Sequence, residues 1–128
     1  MILDNLGREA LIKSAMLYLF TPKTIIENNA LVEQVEQMAI SMQGSAETFV
    51  NQTAGVVVHD TLERCGEIAA PTFVLVGRRD ILVPPELSQQ IANAIPGSTF
   101  KMIDGGHAFT FENAAEFNAE MLGWLQTN

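Results

Sequence analysis

Apolar residues at Leu11, Ile12, Ala15, Met16, Leu19 and Phe20 recur at intervals of three and four, which places them on one broad face of a helix ending near Phe20. Thr21 followed by Pro22 has the chemistry of an N-cap and a first-turn proline, so a short second helix is expected until Asn28 and Asn29 interrupt it. Leu31, Val35, Met38 and Met42 continue at helical spacing and predict a third helix that buries this apolar edge against other helices or a partner chain. Gly44 suits the left-handed residue that ends it, and Ser45 the cap of a fourth helix carrying Phe49, Val50, Thr53 and Ala54. The run Val56, Val57, Val58 is β-branched and would also suit a strand; we read it as helical. Asp60 and Glu63 have capping-box spacing, which predicts the start of another short helix and gives both carboxylates a structural reason.

The period then changes. Pro71 opens Thr72 to Val76, a short unbroken apolar run bounded by Gly77, the pattern of a parallel strand covered on both faces. Pro84 and Pro85 can start a helix in which Leu87, Ile91 and Ile95 share a face, and Pro96 and Gly97 end it. Thr99 to Ile103, with Lys101 between Phe100 and Met102, reads as a half-buried second strand at a sheet edge. Asn113 with Glu116 can cap a last helix whose apolar stripe is Phe117, Met121, Trp124 and Leu125. The fold class expected is α/β, with a helical segment over residues 1–64 and a strand-helix-strand-helix unit with parallel strands over residues 65–128.

Composition narrows the possibilities. The chain has 128 residues and 48% hydrophobic content, and its mean hydropathy of +0.17 excludes a disordered chain. Seven Lys and Arg against fifteen Asp and Glu give a net charge of −8, which opposes binding to nucleic acid or to an anionic membrane. Cys65 is the only cysteine, so neither an intrachain disulfide nor a cysteine-based metal cluster is expected. The stretch from Met1 to Glu9 carries Asp4, Arg8 and Glu9 and lacks the apolar run of a signal peptide or span, so a cytoplasmic protein is expected.

In an open parallel sheet, ligands and reactive groups gather beyond the carboxyl ends of the strands. Asp80 follows the first strand in Gly77-Arg78-Arg79-Asp80, and His107 follows the second in Gly105-Gly106-His107. Adjacent parallel strands would bring both loops to one edge, where a carboxylate can fix the imidazole tautomer and stabilise its protonated form. The same residues have plainer readings, in which Asp80 caps a turn and His107 is a surface residue.

The stretch from Ala70 to Pro85, continued by Ile95-Pro96-Gly97-Ser98 and Gly105-Gly106-His107-Ala108-Phe109, resembles the C-terminal third of an α/β-hydrolase. The branch it most resembles contains enol-lactonases, esterases and related carbon–carbon hydrolases. The resemblance implies that Asp80 and His107 are the acid and histidine of a catalytic triad. It also implies that the region from about Leu6 to Leu62 is the helical cap inserted before these strands. Phe109 and Phe111, beside the histidine, either line an acyl pocket or seal the core.

Such an enzyme also needs a serine on a tight strand-to-helix turn, normally Gly-x-Ser-x-Gly, and backbone donors for the oxyanion. The nearest string is Gln43-Gly44-Ser45-Ala46-Glu47, which lacks both motif glycines, so Ser45 reads as a helix cap. The family order of nucleophile, cap, acid and histidine implies a C-terminal portion that begins inside the cap, whether shortened, degraded or encoded as such. The expected activity is hydrolysis of a small-molecule ester or lactone by Ser-His-Asp chemistry, with the serine and oxyanion hole absent from these residues. The alternative is a non-catalytic, self-associating module. A homo-oligomer is expected in either case, because a sheet cut before residue 70 would expose a strand edge. His59 beside Asp60 makes a poor metal pair, Cys65 reads as packed, Arg78 and Arg79 as solvated or paired, and Met16, Met38 and Met42 as core. No metal is expected, since two histidines without clustered carboxylates make a poor site, and no cofactor is expected, nucleotides being discounted because no phosphate-cradling glycine motif follows a strand.

Overall fold

The computed structural model describes residues 2–42 and 45–128, with side chains for all of these except residues 2–6 and Ala46. Gly44, the expected helix-ending residue, lies outside the described residues. The helical half comprises α1 (Ile2–Leu19), α2 (Pro22–Glu27), α3 (Asn29–Ser41) and α4 (Ala46–Val58). In α1, two helical segments meet at Gly7, whose φ of 73° interrupts the helix. Thr21 caps α2 as its sequence predicts: its side chain accepts from the Thr24 amide, and Pro22 takes the first turn. Met16, Phe20, Val32, Val35 and Ala108 form one buried cluster, against which Ile12, Ala15, Leu19, Ile25 and Leu31 pack.

Only the first half of the apolar edge expected for α3 is buried: Leu31 packs against the core cluster and Val35 belongs to it. Val32 and Val35 are buried, whereas Met38 and Met42 are 43% and 59% exposed, and Met42 is the residue that caps the helix. The first half of α3 carries the buried valines, while its last turn is finished by a charge. The Arg8 guanidinium donates to the carbonyls of Ala39, Ile40 and Met42 at 2.9, 2.8 and 2.6 Å. A cation at a helix C-terminus both satisfies orphan carbonyls and opposes the helix dipole.

Ser45 caps α4, accepting from the Thr48 amide at 3.1 Å, and the three valines complete this helix while remaining 73–80% exposed. The expected capping box does not form. The next element is a 3-10 helix over Leu62–Glu67 that follows Thr61, without a side-chain cap. The Arg64 amide instead reaches the Thr61 carbonyl at 2.9 Å, the three-residue ring that closes this tighter helix from the backbone alone.

In the second half, β1 (Phe73–Gly77), α5 (Pro85–Ala94) and β2 (Thr99–Ile103) form a parallel pair with a helical crossover. The register runs from Phe73 opposite Thr99 to Gly77 opposite Ile103. Thr72, expected to begin the strand, instead offers its carbonyl to the Thr99 amide just outside it. Only Val76 and Gly77 of β1 are buried, so the strand is not covered along its length as its apolar run suggests. Among the described residues β2 is its only strand neighbour. Helix α5 packs on both strands and on the 3-10 helix. It buries Ala92, and Ile95 just beyond it, while Leu87 and Ile91 stay 48% and 42% exposed. A short helix α6 (Phe109–Glu112), not anticipated from the sequence, precedes α7 (Ala114–Leu125). Asn113 stands at the start of α7 without capping it; its side-chain amide is spent on the Asp104 carbonyl at 2.7 Å. Phe117, Met121 and Trp124 are half-buried, Trp124 stacking on Phe73 with ring centroids 5.5 Å apart, whereas Leu125 is exposed.

Truncating Val35 to Ala should lower unfolding stability by about 2 kcal/mol, the scale of losing two core methyl groups plus the cavity they leave. Val57→Ala, on the exposed face of α4, should change it by less than about 0.5 kcal/mol. Paired urea titrations check this, and equal effects would place the core elsewhere.

Candidate active site

Both loops that leave the strands are shaped by close backbone packing. The Arg78 amide donates to the Ile103 carbonyl at 2.8 Å and the Arg79 amide to the Gly105 carbonyl at 2.9 Å, extending the strand ladder into the loops. Gly77 lies so close to this second loop that an added Cβ would fall 1.9 Å from the Gly106 carbonyl oxygen. Gly105 has φ of 151°, a backbone state that side chains rarely adopt, so both positions require glycine.

This packing brings Asp80 and His107 together. Asp80 is 6% exposed, and one carboxylate oxygen lies 2.8 Å from His107 Nδ1. Its other oxygen accepts from the amides of Leu82 and Val83 at 2.9 and 2.8 Å. The two readings of Asp80, turn cap and imidazole holder, are thus both present in one side chain. A carboxylate only accepts, so Nδ1 carries a proton, and in the neutral ring Nε2 is the nitrogen with the lone pair. The His107 side chain is 39% exposed, so this lone pair belongs to a ring that a reacting group can approach. An imidazole oriented in this way is equipped to take and return a proton.

One participant went unnoticed in the sequence. The Glu112 carboxylate accepts from the Thr21 amide and hydroxyl, both at 2.8 Å, through Oε1, and from the Gly106 amide through Oε2. Burial pushes its pKa up, but the hydrogen bonds from Thr24, the Thr21 backbone, the Gly106 backbone and the Thr21 hydroxyl outweigh this and hold it below the ordinary value. The only signal was an acid at the end of Phe109-Thr110-Phe111, on a helix too short to announce itself by periodicity. Glu112 also borders a crevice of about 260 Å³, whose wall includes Thr21, Lys23, Arg79, Asp104 and Asn113.

The other candidates stand apart. Phe109 packs edge-on against Phe117 at 6.0 Å, and Phe111 is 44% exposed; neither borders that crevice. His59 contacts the Thr61 hydroxyl on the surface, and the part-buried Cys65 contacts the Thr61 carbonyl. Arg79 pairs with Asp104 at 2.8 Å, while Arg78 is exposed. Met16 is core, unlike Met38 and Met42. Among the described residues no group of His, Cys, Asp and Glu is arranged to hold a metal ion, and no helix is long and apolar enough to cross a membrane.

Against known proteins, the chain matches no family model. It is 32% identical over 119 residues to the RutD protein of Azorhizobium caulinodans, whose name proposes carbamate hydrolysis, covering 92% of this chain and 45% of that one. The enol-lactonase of Burkholderia xenovorans superposes with TM-score 0.87 at 18% identity, over 98% of this chain and 47% of its own. A thermophilic esterase of Thermogutta terrifontis gives TM-score 0.82 at 25% identity, over 98% and 46%. The chain is thus similar to α/β-hydrolases in sequence and in fold. Its helices and two-stranded parallel sheet form part of the α/β-hydrolase fold, and it spans about half the length of the curated relatives it matches.

Two outcomes follow from this geometry. Gly77→Ala should separate the two loops and destabilise the chain by about 1–3 kcal/mol, the usual cost of overpacking, measured by thermal unfolding. Because Glu112 titrates below its ordinary value in the folded chain, its contribution is fully present above that value and is lost as pH falls through the lowered folded one. Stability measured against pH should therefore drop on the acid side, and Glu112→Gln should flatten that limb.

Proposed function

We propose that Asp80 and His107 are the acid and base of a Ser-His-Asp hydrolase acting on a small-molecule carbonyl compound. The observation that carries this reading is the 2.8 Å contact between Asp80 and His107 Nδ1, with the second Asp80 oxygen fixed by two amides. In this reading Asp80 holds the imidazole and stabilises its cation. His107 Nε2 removes a serine proton as the oxygen attacks the carbonyl carbon, then returns a proton to the leaving group. The substrate class is an ester, lactone or carbamate, since relatives named for each of these chemistries share the fold or sequence. Phe109 and Phe111 are proposed to border its apolar part. The division into a cap-like layer over residues 1–64 and a core layer over residues 65–128, and a cytoplasmic location, belong to the same proposal.

The serine is not supplied by these residues in this reading. Ser45 is engaged as a helix cap, bonded to the Thr48 amide and hydroxyl, and the sequence contains no Gly-x-Ser-x-Gly. The 128-residue chain should therefore show neither ester turnover nor labelling by a fluorophosphonate probe. Labelling of Ser45 with turnover abolished by Ser45→Ala would overturn this. Joined to a segment carrying a serine elbow, the chain should hydrolyse esters, and Asp80→Asn should lower kcat by about 10⁴-fold through loss of the tautomer control.

A second reading, a self-associating module, is favoured by the exposed apolar residues Phe49, Val50 and Val56 to Val58 on α4 and by the sparse cover of β1. It predicts a homodimer or larger assembly by light scattering; a monodisperse monomer would defeat it.

A further inference from the structure

We propose that Glu112 is a positioning residue for His107, acting through the amide of Gly106. The inference rests on the acid–base reading of Asp80 and His107 and adds to it the group that holds the histidine loop in place. Gly106 immediately precedes His107, and its amide is bound by Glu112 Oε2, while Glu112 Oε1 is anchored on Thr21 at the corner between α1 and α2. Ala108 immediately follows His107, and its amide donates to the Leu19 carbonyl at 2.8 Å, on the same corner. Both chain neighbours of the imidazole are thus tied to one place in the helical layer.

The tie is needed because the residues before His107 are glycines. A Gly-Gly pair has no side chain to restrict its backbone, so its conformation must be imposed from outside. The Arg79 amide holds the Gly105 carbonyl, but the Gly106 amide is held by Glu112. A carboxylate suits this place because donors approach both of its oxygens. A Gln side chain has one acceptor, and its NH₂ end would face either Thr21 or Gly106 donor to donor. Glu112 acts at a distance from the imidazole itself and touches no reacting atom in this proposal.

Long-range proton–nitrogen correlation NMR of the full chain reads the consequence, because the two ring nitrogens of a neutral His107 separate widely when one tautomer is fixed and converge when tautomers average. The unsubstituted chain should show the Nδ1–H tautomer, with His107→Ala assigning the signals. Glu112→Gln should bring the two signals together. Val35→Ala, which weakens the helical core without touching the bridge, should leave them apart even as the melting temperature falls. Should Glu112→Gln not fold, Thr21→Val, which removes the hydroxyl arm of the anchor together with the side-chain cap of α2 and keeps the amide arm, should bring the signals measurably closer. Unchanged separation in a folded Glu112→Gln overturns the proposal, as does unchanged separation in Thr21→Val where that variant is the one measured. Converged signals in Val35→Ala overturn it too, since loosening alone would then suffice. Failure of the underlying pair looks different: signals already averaged in the unsubstituted chain, or still separated in Asp80→Ala, overturn the acid–base reading and the positioning role with it.

Discussion

The Gly105–Gly106 turn is pressed between two backbones, and the rest of the site is built on that contact. On one side stands Gly77, where a single Cβ would reach the Gly106 carbonyl; on the other, the Leu19 carbonyl lies 2.7 Å from where a Gly106 Cβ would stand. Close-packed interiors do not deform gradually, so such a contact has few tolerable alternatives. It fixes the separation of the loops that follow β1 and β2, and hence the reach from Asp80 to His107. It also directs the chain so that Ala108 enters the cluster of Met16, Phe20, Val32 and Val35. The helical and α/β layers therefore meet at the residues that flank the histidine.

Local chemistry made much of this legible in the sequence. Thr21-Pro22 and Ser45 announced helix starts because capping is decided within three or four residues. Asp80 and His107 were legible because glycine-bounded loops after apolar runs have one place to go in a parallel pair. The failures share a cause. Leu87, Ile91, Met38 and Met42 have the spacing of a buried stripe, but spacing fixes only which residues share a face, and the neighbouring elements decide which part of that face is covered. The capping-box spacing of Asp60 and Glu63 was overruled by a backbone ring from Thr61, which needs no side chain. Glu112 was invisible because its partners lie 91 and 6 residues away, and no local pattern encodes a three-donor bridge.

Asp80 shows why one residue can serve structure and proposed chemistry without conflict. A carboxylate has about four lone-pair directions, and the Leu82 and Val83 amides occupy one oxygen while His107 takes the other. The turn bonds hold a buried charge that would otherwise be costly, and they immobilise it where the imidazole needs it. An amide in its place would keep an acceptor for the turn and lose the certainty of accepting from Nδ1. The requirement for a carboxylate is thus set by the histidine, and the requirement for burial by the turn.

Surface character completes the argument, because the same chain that orders its loops so closely leaves Val56, Val57, Val58 and Ile26 at least 73% exposed. Core placement cannot explain these side chains, and helix propensity gives them no advantage, since β-branched residues lose rotamer freedom in a helix. A net charge of −8 spread over the surface opposes indiscriminate aggregation but acts over distances of a screening length, not at the scale of one apolar helix face. Charge and apolar exposure therefore act on different things: the first keeps copies apart in solution, while the second rewards any surface that fits closely enough to exclude water. These exposed side chains stand on α2 and α4, not on the loops that join Asp80 to His107, so the contact with another surface that they would favour bears on the self-associating reading and leaves the acid–base geometry untouched.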